Sequence, residues 1–122
     1  MTQLPYLLDE RRRAIVLAAL QWGCQHRGWE LFAAHVRENH VHVVAEAPCL
    51  REIVAQACKA YASRFLNEAC LDAPGRKRWT RRASMKRLYD VDARDQAIRY
   101  VAAKQGEPMA LFVAPARNRA SA

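Results

Sequence analysis

The sequence predicts an α+β domain, because two short strands lie between stretches with helical periodicity. Residues 29–36 and 40–44 are rich in β-branched and apolar residues, and the second alternates with the two-residue period of a strand. The stretches that end near Arg27 and begin at Pro48 repeat their apolar residues every three to four positions, as one face of a helix does. The two strands follow each other closely, so a hairpin is expected.

Composition indicates one domain with a basic surface, spanning residues 1–115 and followed by a flexible tail at 116–122. The chain has 122 residues and 52% hydrophobic content, which suits one modest core and argues against disorder. Twenty Lys and Arg against 12 Asp and Glu give a net charge of +8, which favours nucleic acid as a partner and an acidic membrane surface second.

The sequence also predicts where the chain resides. No apolar run approaches the ~20 residues of a transmembrane helix, and charges from Asp9 onward interrupt the apolar start. A cytoplasmic protein without a membrane partner is therefore expected. The four cysteines form no C-x-x-C pair and are expected to be reduced and mostly buried; they are Cys24, Cys49, Cys58 and Cys70.

The first helix has clear start and stop signals. Asp9 is a good N-cap, the helix should run to about Arg27, and Gly28 stands at the C′ position. Residues 1–8 are apolar and are either the remnant of an edge strand or a free arm. The expected buried stripe of the helix consists of Val16, Ala19, Leu20, Gly23 and Cys24.

The second strand carries two histidines on one face. His40 and His42 project from the same side, roughly 7 Å apart along the strand, while Val41 and Val43 face a core. Neutral imidazoles are common ligands of divalent metals, so this pair is a candidate metal site, although surface histidines often have no ligand.

The length of the hairpin turn decides the place of His35. A three-residue turn pairs Val36 with His40 and puts His35 on the opposite face, whereas a two-residue turn pairs His35 with His42 and makes His35 a possible third ligand. Glu38-Asn39 lacks the glycine that two-residue turns prefer. The longer turn is therefore predicted, with His35 as a packing residue.

The second helix is predicted from Pro48 to about Cys70. Lys59 and Arg64 lie outside its stripe and are expected to be solvated. The apolar residues that follow the helical spacing are Leu50, Ile53, Val54, Ala57, Cys58, Tyr61, Ala62 and Phe65.

A basic segment follows, at residues 76–87. Seven of its twelve residues are Lys or Arg and none is acidic. Such runs are usually solvated loops, but Trp79 offers a stacking surface within this one, and hydroxyl groups add hydrogen bonds to phosphate. Contact with nucleic acid is therefore predicted for Arg76, Lys77, Arg78, Trp79, Arg81, Arg82, Lys86 and Arg87.

A third helix is expected from Asp92 to about Gln105, before Gly106. Tyr100 lies beside its apolar stripe and shares a face with Lys104, one turn further on. A boundary tyrosine with a hydrated hydroxyl group is the simpler interpretation. The stripe consists of Ala97, Ile98, Val101 and Ala102.

The order of these segments resembles one family, the HUH single-tyrosine transposases of small bacterial insertion sequences, which include the repeat-associated tyrosine transposases. Asn39-His40-Val41-His42 is similar to the family's N-H-V-H strand, Trp79–Ser84 looks like a W-T-x-x-x-S stretch of some members, and Tyr100 stands in the late helix. The resemblance covers about residues 8–110.

The resemblance implies a ferredoxin-like palm, with an antiparallel sheet, helices on one face and a C-terminal helix that carries the tyrosine. The implied activity is cleavage and transfer of single-stranded DNA through a 5′-phosphotyrosine at Tyr100. Magnesium or manganese would be held by His40, His42 and a third polar residue. The implied partners are single-stranded or hairpin DNA and a second copy of the chain.

The chain departs from this family at two points that concern function. Relatives place a glutamine four residues after the tyrosine, where this chain has Lys104; Gln105 follows and is taken as the third ligand. Lys104 would favour the phenolate of the nucleophile. The first strand is short or missing. The displaced glutamine and the short strand together favour the alternative, a non-catalytic nucleic-acid-binding module that is truncated or domesticated from this family. A zinc protein using His40, His42 and a cysteine is the third hypothesis.

Overall fold

The computed structural model describes residues 7–38, 40–72, 76, 85–87, 98 and 109–114. The fold is α+β, as predicted. Its elements, in chain order, are helix α1 (Glu10–Arg27), strands β1 (Glu30–Val36) and β2 (Val41–Glu46), helix α2 (Arg51–Glu68), and strands β3 (Met85–Arg87) and β4 (Ala110–Val113).

The four strands form one sheet in the order β3-β2-β1-β4. Strand β1 is antiparallel to both β2 and β4, and β3 is parallel to β2. A parallel neighbour requires a crossover, and α2 lies in the connection between β2 and β3. The sequence interpretation predicted neither β3, which lies in the basic segment, nor β4.

Helix α1 begins and ends where its capping residues predict. The Asp9 carboxylate accepts a hydrogen bond from the Arg12 backbone N–H at 2.8 Å, and Gly28 ends the helix with a φ of 71°. The predicted stripe is confirmed in full, because the buried residues of α1 are Val16, Ala19, Leu20, Gly23 and Cys24.

Helix α2 is shorter than predicted, starting at Arg51 and ending at Glu68. Leu50 and Ile53, expected in the buried stripe, are 63% and 48% exposed. Leu50 precedes the helix as its N-cap residue, so helical spacing does not apply to it, and Ile53 lies in the first turn. The buried residues instead recur every four positions, at Val54, Cys58, Ala62 and Leu66.

Polar contacts join the two helices at one end. The Arg12 guanidinium donates to Asp72 at 2.9 Å and to the Leu71 carbonyl oxygen at 2.6 Å, so the start of α1 is tied to the chain just after α2. Neither of the helices that the structure describes combines the length and apolar character needed to cross a bilayer.

The cysteines are all free thiols, two of them buried between the helices. Cys24 and Cys58 share a hydrogen bond, which raises the pKa of Cys58, with burial adding to the rise, and lowers the pKa of Cys24. Cys49 is half-buried and Cys70 is exposed, so the expectation that most of the thiols are buried is only half met.

The sheet has two unlike faces. The helix face packs against α1 and α2, and its residues are Ala34, Val36, Val41, Val43 and Ala45. The opposite face, here called the histidine face, carries a smaller apolar cluster beside the histidines. Its residues on β1, on β2 and just before β2 are Ala33, His35, His40, His42 and Val44, and Phe32, at the irregularity in β1, packs in its apolar cluster.

The chain before α1 lies against the hairpin turn. Leu8 is buried, and its backbone N–H donates to the Glu38 carbonyl oxygen at 2.6 Å. Residues 7–9 form no strand, and residues 1–6 of the predicted edge strand or arm lie outside the described part of the chain, as does the tail at 116–122.

Candidate metal and nucleic-acid site

The predicted metal pair lies on one face of the sheet. The rings of His40 and His42 are 7° from parallel, with centroids 6.2 Å apart. His40 is exposed and His42 is half-buried, whereas Val41 between them is buried on the helix face. The alternation of the strand therefore separates two accessible imidazoles from the core residues, as the two-residue period predicts.

The predicted three-residue turn is wrong. The structure pairs His35 with His42 and Val36 with Val41, and the Arg37 backbone N–H donates to the His40 carbonyl oxygen at 2.8 Å. The physical reason is burial: this register puts Val36 on the helix face with Val41, whereas the longer turn would have turned Val36 away.

His35 consequently lies on the histidine face, not on the opposite one. It is only 1% exposed, and its Nε2 accepts a hydrogen bond from the Met109 backbone N–H at 2.9 Å. An accepting Nε2 carries no proton, so the ring is neutral and this nitrogen is already used. His35 therefore serves packing, as predicted, and fixes the chain before β4 to β1.

His40 and His42 offer two imidazole groups on one face of the sheet, and imidazole nitrogen is a ligand type that divalent transition metals take. Within the part of the chain that the structure describes, no three His, Cys, Asp or Glu side chains gather into a metal-binding group. A complete set of ligands needs at least one further donor. Gln105, predicted for that place, lies outside the described residues.

The third predicted helix contributes one described residue, Ile98. It is helical and 1% exposed, and it belongs to the apolar cluster of the histidine face with Ala33 and Val44. The residues that the sequence assigns to catalysis and its support, Tyr100 and Lys104, lie outside the described ranges.

The basic segment reaches the sheet through β3. In the pairing of β3 with β2, Lys86 lies opposite Val44 and Arg87 opposite Ala45. The end of the basic segment therefore runs beside β2, here called the histidine strand. Arg76 is half-buried, near the end of α2 in sequence. The other predicted contacts are not among the described residues: Lys77, Arg78, Trp79, Arg81 and Arg82.

Sequence reasoning missed one residue beside the histidines. Arg37 lies opposite His40 across the turn, held by the backbone hydrogen bond, and is half-buried. Directly opposed residues of an antiparallel pair share a face, so this arginine belongs with the histidine face. Choosing the two-residue turn from the sequence would have placed Arg37 on the histidine face.

Comparison with protein-family models, curated proteins and solved structures finds no match for the chain. The functional interpretation therefore depends on the histidine face itself. That face combines two accessible imidazoles with an arginine at the turn, and β3, at the opposite edge of the sheet from β4, carries Lys86 and Arg87 beside β2.

Proposed function

We propose that the chain is a transposase-like endonuclease and strand transferase of single-stranded DNA, built on a ferredoxin-like palm and acting in the cytoplasm. In this proposal His40 and His42 hold a divalent ion, Tyr100 is the nucleophile, and Gln105 completes the ligands. The observation that carries it is the position of Ile98, which packs on the sheet face that bears both histidines.

Chain connectivity makes this observation useful. Consecutive Cα atoms are 3.8 Å apart, so the Cα of Tyr100 lies within about 7.6 Å of the Cα of Ile98. Val44, which packs in the same cluster as Ile98, is two residues from His42 on the same strand face. Ile98, two positions before Tyr100, thus lies on the same sheet face as the imidazoles, and this supports the proposed role of Tyr100.

The chemistry balances without an external energy source. The Tyr100 oxygen forms a bond to phosphorus and loses its proton, the bond from phosphorus to the 3′ oxygen breaks, and the 3′ hydroxyl is released. A later 3′ hydroxyl reverses these steps and frees the tyrosine. A bound divalent ion supplies charge stabilisation at the phosphate. Since free tyrosine has a pKa of ~10, Lys104 is proposed to favour its phenolate.

The donor set bears on which ion is expected. Magnesium takes oxygen ligands almost exclusively, whereas imidazole nitrogens suit transition metals better. Two imidazoles therefore fit manganese better than magnesium among the two ions that the resemblance implies.

Charge supports a polyanionic substrate. In the ladder between β3 and β2, Lys86 pairs with Val44 of the histidine face, Arg87 pairs with Ala45 of the helix face, and Arg37 lies at the turn. Lys86 and Arg37 thus occupy two borders of the histidine face, where a DNA strand crossing it would need phosphate contacts. A homodimer is proposed as the assembly that binds the DNA, including its hairpins.

A second candidate function is a non-catalytic nucleic-acid-binding module derived from the same family. It is favoured by the ligand count, because His35 already uses its Nε2 and the described residues gather no third His, Cys, Asp or Glu beside the pair. This candidate keeps the basic surface and predicts salt-sensitive binding without cleavage.

The test uses a single-stranded oligonucleotide labelled at its 3′ end, because the proposed intermediate retains that end on the protein. With manganese present, wild type should give a labelled band that survives denaturing electrophoresis. Tyr100→Phe should abolish the band but bind the oligonucleotide with unchanged affinity, and Tyr89→Phe, the matched control, should keep the band.

Two results would decide against the proposal. A band that persists in Tyr100→Phe removes this residue as the nucleophile. Salt-sensitive binding by wild type, with no covalent band under any divalent ion, supports the non-catalytic module instead.

A further inference from the structure

Four ring-bearing side chains form a cluster, here called the aromatic seam, where α1 and α2 meet. Trp22 and His26 of α1 stack with centroids 4.8 Å apart and planes 8° from parallel. Tyr61 and Phe65 of α2 contact the same indole, with centroids 5.3 Å and 5.7 Å away. The seam belongs to the helix layer, so the sheet separates it from the histidine face.

The seam is accessible from outside. Trp22 is 38% exposed and His26 is exposed, while Tyr61 and Phe65 are half-buried at the edge of the core. Trp22 therefore presents part of a large flat ring system to solvent, already backed by other rings.

The position of the rings is fixed by close packing of the helices. A Cβ atom added at Gly23 would clash with the Tyr61 ring, so the absence of a side chain at Gly23 is what lets this ring rest on α1. The Tyr61 hydroxyl accepts a hydrogen bond from Arg27 Nε at 2.7 Å. These side chains are already ordered before a ligand stacks on them, so binding costs little side-chain entropy.

Two arginines of the helices lie over rings of the seam. The Arg27 guanidinium carbon lies 5.8 Å from the centroid of the Tyr61 ring, and that of Arg64 lies 5.7 Å from Trp22. Arg64 also pairs with Glu68 at 3.2 Å, but both side chains are more than 60% exposed, and such a pair is weak enough for a phosphate to replace. Along α1 and α2, seven Lys and Arg stand against three Glu.

We propose that the aromatic seam is a second binding site for single-stranded nucleic acid, where an unpaired base stacks on the Trp22–His26 pair and Arg27 and Arg64 take the flanking phosphates. Every base has a flat face, and base-to-aromatic stacking contributes roughly 5- to 150-fold in affinity per base. Guanidinium groups repel a cationic ligand, and single-stranded nucleic acid is the anionic polymer in which every unit carries both a flat ring and a phosphate. This site does not depend on Tyr100 or on a metal.

The experiment measures the Kd of a fluorescein-labelled 20-nucleotide poly-dT strand by fluorescence anisotropy, over a series of salt concentrations. Trp22→Ala should weaken binding about thirtyfold, the middle of the range for one lost stacking contact, and leave the salt dependence unchanged. Trp22→Phe should restore most of the affinity, which separates loss of stacking from damage to the fold.

The arginines are tested through the salt dependence. Because each phosphate contact to a single strand contributes about 0.7 to the slope of log K against log salt, Arg27→Gln/Arg64→Gln should lower the slope by about 1.4. Arg11→Gln, an exposed arginine of α1 outside the seam, is the matched control and should lower it by less than half as much. A 20-base-pair duplex should bind Trp22→Ala as it binds wild type.

The outcomes separate this site from the histidine face. Trp22→Ala should weaken poly-dT binding by the same factor in the His40→Ala/His42→Ala background as in wild type, and it should still form the covalent band at saturating oligonucleotide if the nuclease proposal holds. Unchanged poly-dT affinity in Trp22→Ala overturns the inference. Loss of self-association in Trp22→Ala, seen by sedimentation with unchanged poly-dT affinity, would assign the seam to a second copy of the chain and overturn it equally.

Discussion

The two faces of the sheet contrast in what covers them. On the helix face, valines and alanines of β1 and β2 pack against two long helices and form the larger core, with Val36 and Ala34 fully buried. On the histidine face, a small cluster around Val44 and Ile98 gives way to the accessible rings of His40 and His42. One hairpin thus stabilises the fold on one side and offers polar ligands on the other.

The contrast depends on register, because neighbouring residues of a strand face opposite sides. A slip of one residue would exchange the valines and histidines of β2 between core and solvent. Burial of Val36, Val41 and Val43 in the helix-face core therefore determines that the histidines lie on the opposite face, and the turn sequence does not. Stability of the helix face sets the geometry of the proposed site.

The largest effect that tests this contrast is a pair of truncations. Leu66→Ala removes a side chain that is 0% exposed in the helix-face core and should lower the free energy of unfolding by about 3 kcal/mol. His40→Ala, at an exposed position on the other face, should change it by less than about 0.5 kcal/mol, as surface substitutions usually do. Urea denaturation followed by circular dichroism measures both. An equal decrease in the free energy of unfolding in the two variants would mean that both faces of the sheet contribute equally to stability.

A smaller effect concerns the start of α1. Asp9→Ala should cost about 1 kcal/mol at neutral pH, the usual value for a lost N-cap. The hydrogen bond from the Arg12 backbone N–H lowers the pKa of Asp9 below its ordinary value of 3.8. Its stabilisation is therefore present above that ordinary value and is lost as the pH falls through the lowered pKa of the folded state.

Asp9→Asn is the matched control for this pH dependence, because asparagine caps a helix without ionising. The stability difference between wild type and Asp9→Asn should shrink between pH 7 and about pH 2.5. A difference that stays constant over this range would show that the charge of Asp9 contributes nothing.

Local signals in the sequence predicted the helices better than the sheet. Asp9 and Gly28 mark the start and the end of α1, and each does so through hydrogen bonds with residues only a few positions away. The helical period of the sequence identified the buried residues of this helix. Strand β3, in contrast, is only three residues long and lies within a basic run. It is defined by its pairing with β2, from which α2 separates it in the sequence, so no local pattern marks it. The apolar run from Met109 to Ala114 was a usable signal for β4.

The site shows the same division. Alternation along β2 predicted that His40 and His42 share a face, because that property is local. The place of His35 followed from the pairing of β1 with β2, and its hydrogen bond comes from Met109, 74 residues away. The aromatic seam likewise needs the packing of two helices, which no single stretch reveals.

The most direct test of the central claim is a manganese titration followed by NMR of the histidine rings and isoleucine methyl groups. The account predicts that substoichiometric Mn²⁺ broadens His40 and His42 first, then Ile98, before His26 in the aromatic seam and Ile53 on α2. His42→Ala should remove this order. Broadening of His26 or Ile53 as early as His40 and His42, or no broadening of that pair, would contradict a metal site on the histidine face.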